Sequence, residues 1–462
     1  MARLGETKTG GRPATTGVIP GRLALSVGMP DTPVPIGWQW VALSDVARLE
    51  TGHTPSRRHP EYWDGDVPWI GIKDATENHG RTIVDTYQHA SHLGIDNSSA
   101  RILPTHTVCL SRTASVGYVV VMGKPMATSQ DFVNWVCSDA IDHHYLKYVL
   151  LGEHETFLQF ASGTTHQTIY FPEVKAFHVC LPPIEEQRTI VHILGTLDDK
   201  IELNRRMNET LEAMARALFK SWFVDFDPVR AKAAGRDPGL PKPLADLFPD
   251  SFEDSELGEI PKGWGVGSLA DFASLNPESW SKKTRPEVIN YVDLSNTKWG
   301  CIESVTRHTQ GDAPSRAQRV LRPGDTIVGT VRPGNGSYAF ISSDGLTGST
   351  GFAVMRPRRP EYAQFVYLGA TAPETIETLS HLADGGAYPA VRPEVVIATQ
   401  VIRPSDKLLA RFSMLCAPLL EKIVRNERES CTLAALRDTL LPKLISGELR
   451  VANAVHSLRE AV

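Results

Sequence analysis

The sequence predicts an α+β protein built from two similar mixed α/β domains separated by two long antiparallel coiled-coil helices, with a pseudo-two-fold internal repeat. Three observations predict this class: a heptad-spaced apolar seam, a second seam at a constant distance along the chain, and a recurrence of the text that precedes each seam. The chain has 462 residues, and a single domain usually has ~100–200 residues. We therefore expect more than one domain.

Changes of pattern along the chain predict the segment boundaries. Residues 1–34 contain no clean apolar stretch or cleavage signature, so a flexible N-terminal extension is predicted there. The later segments are a first domain (35–183), a central long helix (184–223), a linker rich in Pro and Gly (224–259), a second domain (260–404), a distal long helix (405–446) and a C-terminal tail (447–462).

The central helix is predicted from seam positions that alternate steps of four and three residues. This spacing keeps one stripe of the helix facing a partner helix. Because the other faces are too polar for a core, a second helix should cover the seam. The seam positions are Ile190, Leu194, Leu197, Ile201, Asn204, Asn208, Leu211, Ala215, Leu218 and Trp222.

A matching seam recurs later in the chain with the same spacing throughout, and in this match Asn204 maps onto Asn426. Two unrelated amphipathic helices are the alternative, but agreement over ten positions favours duplication. In an antiparallel pair, we expect the two asparagines to approach each other near the crossing and to define the register. The second set comprises Phe412, Cys416, Leu419, Ile423, Asn426, Ser430, Leu433, Arg437, Leu440 and Leu444.

The domains that precede the seams repeat as well. Gly37-Trp38 recurs as Gly263-Trp264, and the displacement of other matches differs only slightly from this one, as loop insertions would produce. Within the first copy, the pattern predicts a strand at Phe132–Cys137 and a helix over His144–Phe160. Apolar stretches separated by turns, without regular strand–helix alternation, indicate strand-rich mixed domains.

Composition and motifs restrict the functional class. Six scattered cysteines without a C-x-x-C favour reduced thiols in a cytoplasm over a zinc site. No window of ~18 apolar residues predicts a membrane span. The formal charge of −5 is mildly unfavourable for nucleic-acid binding, although a basic face can coexist with acidic ones. We find no phosphate loop, H-E-x-x-H or G-x-S-x-G motif, so we expect a non-catalytic cytoplasmic chain that binds no metal or cofactor.

Basic and polar side chains recur in loops of both domains. Arg and Lys neutralise phosphates, and Arg, Gln, Asn, Ser and Thr can address base edges in the major groove. Ordinary solvated loops are the alternative, which the recurrence in both copies makes less attractive. The candidate DNA-binding residues are Arg57, Arg58, Lys73, Arg112, Thr113, Thr164, His166, Gln167, Lys282, Lys283, Arg285, Arg332, Asn335 and Tyr388.

Several strings are more specific than the loops. They are Leu181-Pro182-Pro183-Ile184-Glu185-Glu186-Gln187-Arg188, Leu197-Asp198 with Lys200-Ile201, Lys220-Ser221-Trp222-Phe223, Pro68-Trp69-Ile70 and Leu441-Pro442-Lys443-Leu444-Ile445-Ser446-Gly447-Glu448. On these strings the chain, from about Ile36 onward, resembles the specificity subunit of type I restriction-modification systems. One departure lies at the start of the distal helix, where Arg403-Pro404-Ser405 stands in place of the Pro-rich string that precedes the central helix. The surfaces on which the two copies would dock partner subunits therefore need not be equivalent.

The resemblance implies a role. Each domain would be a target-recognition domain that reads one half of a bipartite site in double-stranded DNA. The helices, about 57 Å long at ~1.5 Å per residue, would set the spacer between the halves. The chain would dock two methyltransferase subunits that bind S-adenosylmethionine and methylate adenine N6, together with restriction subunits that use ATP and Mg²⁺.

Other functions stay open from the sequence. The acidic net charge suits a coiled-coil scaffold whose two domains hold proteins instead of DNA. The chain could also serve a methyltransferase-only or anti-phage complex as its recognition subunit. A standalone nuclease or methyltransferase is disfavoured, because Asn276-Pro277-Glu278-Ser279 lacks the second Pro and the aromatic residue of amino-methyltransferase motifs.

Overall fold

The computed structural model describes residues 17–161, 167–256, 258–281, 283–384, 386 and 388–451. The chain folds as two compact units, one comprising residues 1–201 and 431–462 and the other residues 202–430. Two helices of 40 residues each, α7 (Ile184–Phe223) and α14 (Asp406–Ile445), contribute segments to both units. Each unit therefore buries its own portion of the helix pair.

The first unit is strand-rich, as predicted, and its main sheet has the order β4-β11-β8-β9-β6. Smaller sheets have the orders β1-β2-β12-β3 and β10-β5-β7. Its strands are β1 (Ile19–Pro20), β2 (Leu25–Val27), β3 (Gln39–Ala42), β4 (Ala47–Thr51), β5 (Trp63–Ile70), β6 (Thr82–Ile83), β7 (Gln88–Ala90), β8 (Val108–Ser111), β9 (Val119–Met122), β10 (Ala127–Thr128), β11 (Phe132–Cys137) and β12 (Phe177–Leu181). Its shorter helices are α1 (Leu43–Val46), α2 (Ile72–Glu77), α3 (His92–Asp96), α4 (His143–Gly152), α5 (Phe157–Phe160) and α6 (Phe171–Lys175).

Successive residues of β9 face two different cores. Val119 and Val121 join the large core that includes α4 and the first-unit segments of α7 and α14. Val120 and Met122 join a smaller core on the opposite face with Ile70. Burial on both faces explains why this strand is a continuous apolar run instead of an alternating one.

Residues 19–27 correct the predicted flexible extension, because they form β1 and β2. β2 pairs with β12, and its residues are buried. The carboxylate of Glu153, just after α4, accepts hydrogen bonds from the consecutive backbone N–H groups of residues 22 to 25 at 2.6 to 3.3 Å. The prediction was wrong there because a carboxylate distant in sequence organises this segment. Residues 1–16 lie outside the described residues.

The second unit repeats this architecture with sheet orders β16-β25-β22-β23, β20-β17-β24-β21 and β15-β26. Its strands are β13 (Phe252–Ser255), β14 (Gly258–Pro261), β15 (Gly265–Ser268), β16 (Ala273–Leu275), β17 (Val288–Val292), β18 (Thr297–Lys298), β19 (Cys301–Ile302), β20 (Thr306–Thr309), β21 (Ala317–Leu321), β22 (Thr326–Gly329), β23 (Tyr338–Phe340), β24 (Leu346–Ser349), β25 (Phe352–Pro357) and β26 (Gln400–Arg403). Its shorter helices are α8 (Asp227–Ala233), α9 (Lys242–Ala245), α10 (Leu269–Phe272), α11 (Ala363–Ala370), α12 (Pro373–Leu382) and α13 (Pro393–Ile397).

The strand pairing shows the duplication directly. The order β4-β11-β8-β9 in one unit becomes β16-β25-β22-β23 in the other. In both, one parallel pair has an antiparallel neighbour: β5 lies between β10 and β7, and β17 lies between β24 and β20. Such a match of parallel and antiparallel pairs supports the internal repeat inferred from the sequence.

The segment predicted as a linker is packed instead of extended. It contains α8 and α9, and Phe226, Val229 and Phe248 are buried in the core of the second unit. Phe248 lies edge-on to Trp222 at the end of α7, with ring centroids 5.1 Å apart. The irregular spacing of these apolar residues among Pro and Gly hid their burial from periodicity analysis.

In the second unit, α7 and α14 meet through a buried asparagine network. Asn204 and Asn426 are each 1% exposed, and the Asn204 amide donates to the backbone oxygen of Asn426 at 3.4 Å. It also donates to Ser430 Oγ at 3.3 Å, while the Asn426 amide donates to Asn208 Oδ1 at 2.8 Å. Ser430 and Asn208 are themselves repeat-related seam positions. The expected approach of the two asparagines is confirmed. Each side chain also hydrogen-bonds to the residue one helical turn beyond the other asparagine.

Candidate nucleic-acid interface

In the first unit, a two-tryptophan platform holds Arg57. Its guanidinium carbon lies 3.6 Å from the Trp63 ring centroid and 5.3 Å from that of Trp69. Its Nη2 donates to Gln88 Oε1 at 2.7 Å. Both tryptophans belong to β5 and Gln88 begins β7, so paired strands define the place of the arginine. The Trp69 indole donates to the His53 carbonyl at 3.1 Å and thereby ties the loop to the sheet.

Arg112 follows β8 and lies against the same loop system. Its Nη2 donates to the carbonyl of Gln130 at 3.2 Å, and the Gln130 side chain accepts from Thr54. Burial lowers the pKa of Arg112, while the charge of Asp131 opposes that shift. Thr113 extends the surface by donating to Thr168 Oγ1 at 3.2 Å.

Lys73 lies at the other side of the Arg57 platform. Its ammonium group is 3.7 Å from the ring centroid of Tyr87, the neighbour of Gln88. Arg57 and Lys73 thus contact the consecutive residues Gln88 and Tyr87, while Arg112 contacts Gln130, which accepts from Thr54 of the Arg57 loop. Arg58 and Gln167 are exposed, and Thr164 and His166 lie outside the described residues.

In the second unit, Arg332, Asn335 and Tyr388 lie together. The Arg332 guanidinium is 5.1 Å from the Tyr388 ring centroid, and Tyr388 is 72% exposed. Arg332 has a left-handed φ of 46°, and its backbone carbonyl accepts from the Asn335 N–H at 2.9 Å. Trp299 covers Gly336, where a Cβ would come within 2.6 Å of the indole. Only glycine therefore allows this aromatic residue to approach the turn.

The remaining second-unit candidates that the structure describes, Lys283 and Arg285, make no contact with that group. Arg285 is half-buried, and its Nη2 donates to the carbonyls of Pro314 and Ser315 at 3.2 and 3.0 Å. Lys283 is exposed, and Lys282 lies outside the described residues. Arg285 therefore stabilises its own loop, which leaves fewer of its donors for a ligand.

A common backbone framework supports both surfaces. In the first unit, the Arg112 N–H donates to the Asp131 carbonyl at 2.7 Å and the Arg112 carbonyl accepts from Ile169 at 2.9 Å. In the second, Thr330 makes the same two bonds, to the Gly351 carbonyl at 2.8 Å and from Val391 at 2.9 Å. Equivalent strand ends in the two units therefore carry different side chains, Arg112 in one and Thr330 in the other.

Sequence reasoning missed several aromatic and amide residues of these surfaces. Trp63, Gln88, Gln130 and Trp299 were not among the candidates, and Trp69 was noted only for a family string. The available signal was the clustering of Trp with Arg in residues 57–69, since Arg commonly stacks on aromatic faces.

Metal and membrane features are absent from the part of the chain that the structure describes. No group of three or more His, Cys, Asp or Glu side chains there could hold a metal ion. No helix among those residues is both long enough and apolar enough to cross a bilayer.

Comparison with known proteins finds relatives of one kind. Residues 35–213 match the type I restriction modification DNA specificity domain. The type I restriction enzyme MjaIX specificity subunit of Methanocaldococcus jannaschii is 27% identical over 434 residues, covering 90% of this chain and 95% of that protein. Over most of its length the chain is therefore similar to type I restriction enzyme specificity subunits.

Further relatives agree with this assignment. The HindI specificity subunit of Haemophilus influenzae is 28% identical over 337 residues, covering 62% of this chain and 72% of that protein. The crystal structure of the type I restriction-modification S subunit from M. genitalium aligns with a TM-score of 0.52 at 16% identity, over 88% of this chain and 96% of that one. At that identity, the structural likeness supports the specificity-subunit fold.

Proposed function

We propose that this specificity subunit reads a bipartite DNA sequence, with one half-site contacted by each of its two domains. The observation that carries the proposal is that loop arginines in both units, Arg57 and Arg112 in one and Arg332 in the other, contact aromatic or amide residues. A repeated backbone framework holds the strand ends at Arg112 and Thr330. Such loops can combine phosphate neutralisation with contacts to base edges. The chain itself is non-catalytic, as its likeness to specificity subunits indicates.

A domain exchange tests the assignment of half-sites. Residues 260–404 are replaced by the corresponding domain of another specificity subunit, and the methylated sites of cells carrying the hybrid are sequenced. We expect one half of the recognised sequence to change while the other half is kept. Changes in both halves would contradict independent reading, and an unchanged site would remove the second domain from recognition.

We further propose that two methyltransferase subunits, with S-adenosylmethionine as methyl donor, and restriction subunits, with ATP and Mg²⁺, act on the DNA that this chain selects. The continuity of α7 and α14 over 40 residues each supports a role of the helices in setting the spacer. Inserting four residues into each helix should lengthen the spacer found by methylome sequencing. A variant that still methylates only the original spacer would refute this part.

A scaffold that holds proteins would not show the salt response of a DNA-binding protein. Each phosphate contact makes the logarithm of the binding constant fall with the logarithm of salt concentration, by ~0.9 per contact on duplex DNA. The complex with methyltransferase subunits should therefore lose duplex affinity steeply between low and physiological salt. Salt-independent or absent binding would favour the scaffold, for which the formal charge of −5 is the supporting observation.

A further inference from the structure

We infer that Arg57 is the side chain through which the first domain recognises a guanine in its half-site. The inference rests on the proposed function, since it names the base that one part of the same surface would select. It depends on three properties of Arg57, which are its immobilisation on the tryptophans, the lack of a carboxylate partner among the described residues, and its unused donors.

The first property is immobilisation by uncharged groups. Stacking on Trp63 at 3.6 Å defines the plane of the guanidinium, and the bond to Gln88 at 2.7 Å defines its rotation within that plane. An arginine normally loses much rotamer freedom when it binds a ligand. Because this loss has already occurred on folding, the exposed fork is preorganised for a planar partner.

The second property is the missing ion pair. Several other arginines in the first unit pair with a carboxylate, for example Arg48 and Arg101 with Glu50 and Arg22 with Glu155. Among the described residues, no carboxylate pairs with Arg57, although the side chain is exposed. Ligand binding therefore does not have to break a salt bridge at this position.

The third property is the hydrogen-bonding pattern that remains. A guanidinium has five N–H donors, and Gln88 accepts from one of the two on Nη2. Guanine presents two adjacent acceptors in the major groove, O6 and N7, which match a pair of parallel donors. Adenine offers N7 beside the N6 amino group, whose hydrogens would oppose a second donor. The unused part of the Arg57 fork therefore favours guanine over adenine.

The neighbouring residue provides a matched control. Arg58 has the same charge and is also exposed, but it makes no stacking contact among those recorded for the described residues. A change at Arg58 alters the charge of this surface by the same amount without removing a stacked fork. Comparison of the two positions separates base recognition from general attraction to phosphates.

The experiment uses the full chain assembled with its methyltransferase subunits and a duplex library randomised at the first half-site. The proteins compared are the wild type, Arg57→Gln, Arg57→Lys and Arg58→Gln, and the readout is base preference at each position of bound DNA. The wild type should prefer guanine at one position by about 5- to 150-fold, the range of one bidentate contact. Arg57→Gln should lose that preference alone, and Arg57→Lys should weaken it, because a lysine ammonium can still donate to guanine O6 and N7 but lacks the rigid fork. Arg58→Gln should keep it.

The outcomes separate the inference from the proposed function. A wild-type complex without base preference would overturn both. If the wild type has base preferences and they survive both Arg57 substitutions, only the guanine assignment is overturned. The same conclusion follows if the Arg57 variants lose affinity equally for all sequences, because that result is the signature of a phosphate contact. If Arg57→Gln disturbs the loop, Arg57→Lys still decides the question, because its cation can remain over Trp63, and an undiminished guanine preference in it would contradict the inference.

Discussion

The two units share a strand order but differ in how each domain meets the long helices. The Leu-Gly pair at residues 151–152 in α4 can be aligned with the pair at 368–369 in α11. In this sequence alignment Lys147 corresponds to Gln364 and Glu153 corresponds to Ala370. Lys147 is 5% exposed and Gln364 is 7% exposed, so both positions are buried. The duplicated framework has therefore kept the burial of these positions while the chemistry of the side chains has changed.

In the first unit, Asp198 of α7 is the centre of a charged junction. It accepts from Lys147 Nζ at 3.2 Å, from Tyr148 OH at 2.7 Å and from Arg437 Nη1 at 2.9 Å. When the two seams are aligned, the equivalent position in the other copy is the buried Leu420. Burial would raise the pKa of Asp198, but the surrounding cations and the tyrosine outweigh it and lower the pKa.

In the second unit, Arg216 of α7 is the centre of a different polar junction. It donates to Glu212 at 2.6 Å and to the Thr371 carbonyl after α11 at 2.9 Å. Glu427 of α14 lies nearby, and burial followed by repulsion from Glu212 raises its pKa to about 7. One copy therefore stabilises a carboxylate in its charged form, whereas the other stabilises a carboxylic acid. Apolar pattern and backbone pairing survive duplication more readily than buried polar networks.

The largest effect should follow loss of the charged junction. Asp198→Ala leaves Lys147 and Arg437 without their central acceptor in a largely buried site, so we expect a loss of about 3–5 kcal/mol in the free energy of unfolding of the first unit. Denaturant unfolding measures it. Glu185→Ala is the control, because its pair with Arg188 is exposed and should contribute less than about 1 kcal/mol. Equal effects would contradict the assigned importance of the junction.

The next effect concerns Glu153, whose counterpart is Ala370. Glu153→Gln leaves one acceptor oxygen for the backbone N–H groups of residues 22 to 25 and adds a repelling amide, so the first unit should lose about 2–3 kcal/mol. Hydrogen exchange should accelerate at β2 without a change in the second unit. Unaltered protection of β2 would show that strand pairing with β12 alone holds the N-terminal segment.

A smaller, pH-dependent effect should appear at Glu427. Because its folded pKa of about 7 exceeds the ordinary 4.5, its contribution is fully present below pH 4.5 and is lost as pH rises through 7. Glu427→Gln imitates the protonated acid and should stabilise the second unit by about 2 kcal/mol at pH 8 while changing little at pH 5. Asp198 has the opposite sign, since its lowered pKa makes its contribution disappear on acidification. A Glu427→Gln effect that is independent of pH would refute the raised pKa.

The smallest effect should come from the asparagine network of the second unit. Asn204→Leu or Asn426→Leu alone leaves polar partners without a hydrogen bond and should lower the free energy of unfolding by about 1–2 kcal/mol. The double substitution should cost less than the sum, because the Oδ1 atoms of both asparagines are buried without hydrogen-bond partners among the described residues. A double-variant cycle in urea measures the coupling. Strict additivity would mean that the two side chains do not act together.

Much of the fold could be predicted because its signals are local. The predicted bounds 184–223 of the central helix are those of α7, and β11 has the predicted bounds Phe132–Cys137. The predicted helix His144–Phe160 divides into α4 and α5 because residues 153–156 form a turn at Glu153. In the candidate site, the sequence identified Arg57 and Arg112 by residue type. Their stacking and loop contacts depend on β5, β7 and the loop before β11, which pairing brings together.

By itself, the sequence determined the duplication, the two long helices and the position of the asparagines, since heptad spacing and repeated strings are properties of the linear chain. Only the tertiary structure decided that Asp198 meets Lys147 and Arg437, that Glu153 captures the N-terminal strands and that Arg57 lies on Trp63. These contacts join residues from different elements of a unit, so their geometry exists only after strands pair and helices pack. Burial then determines which charges remain neutralised and which donors remain available to a ligand.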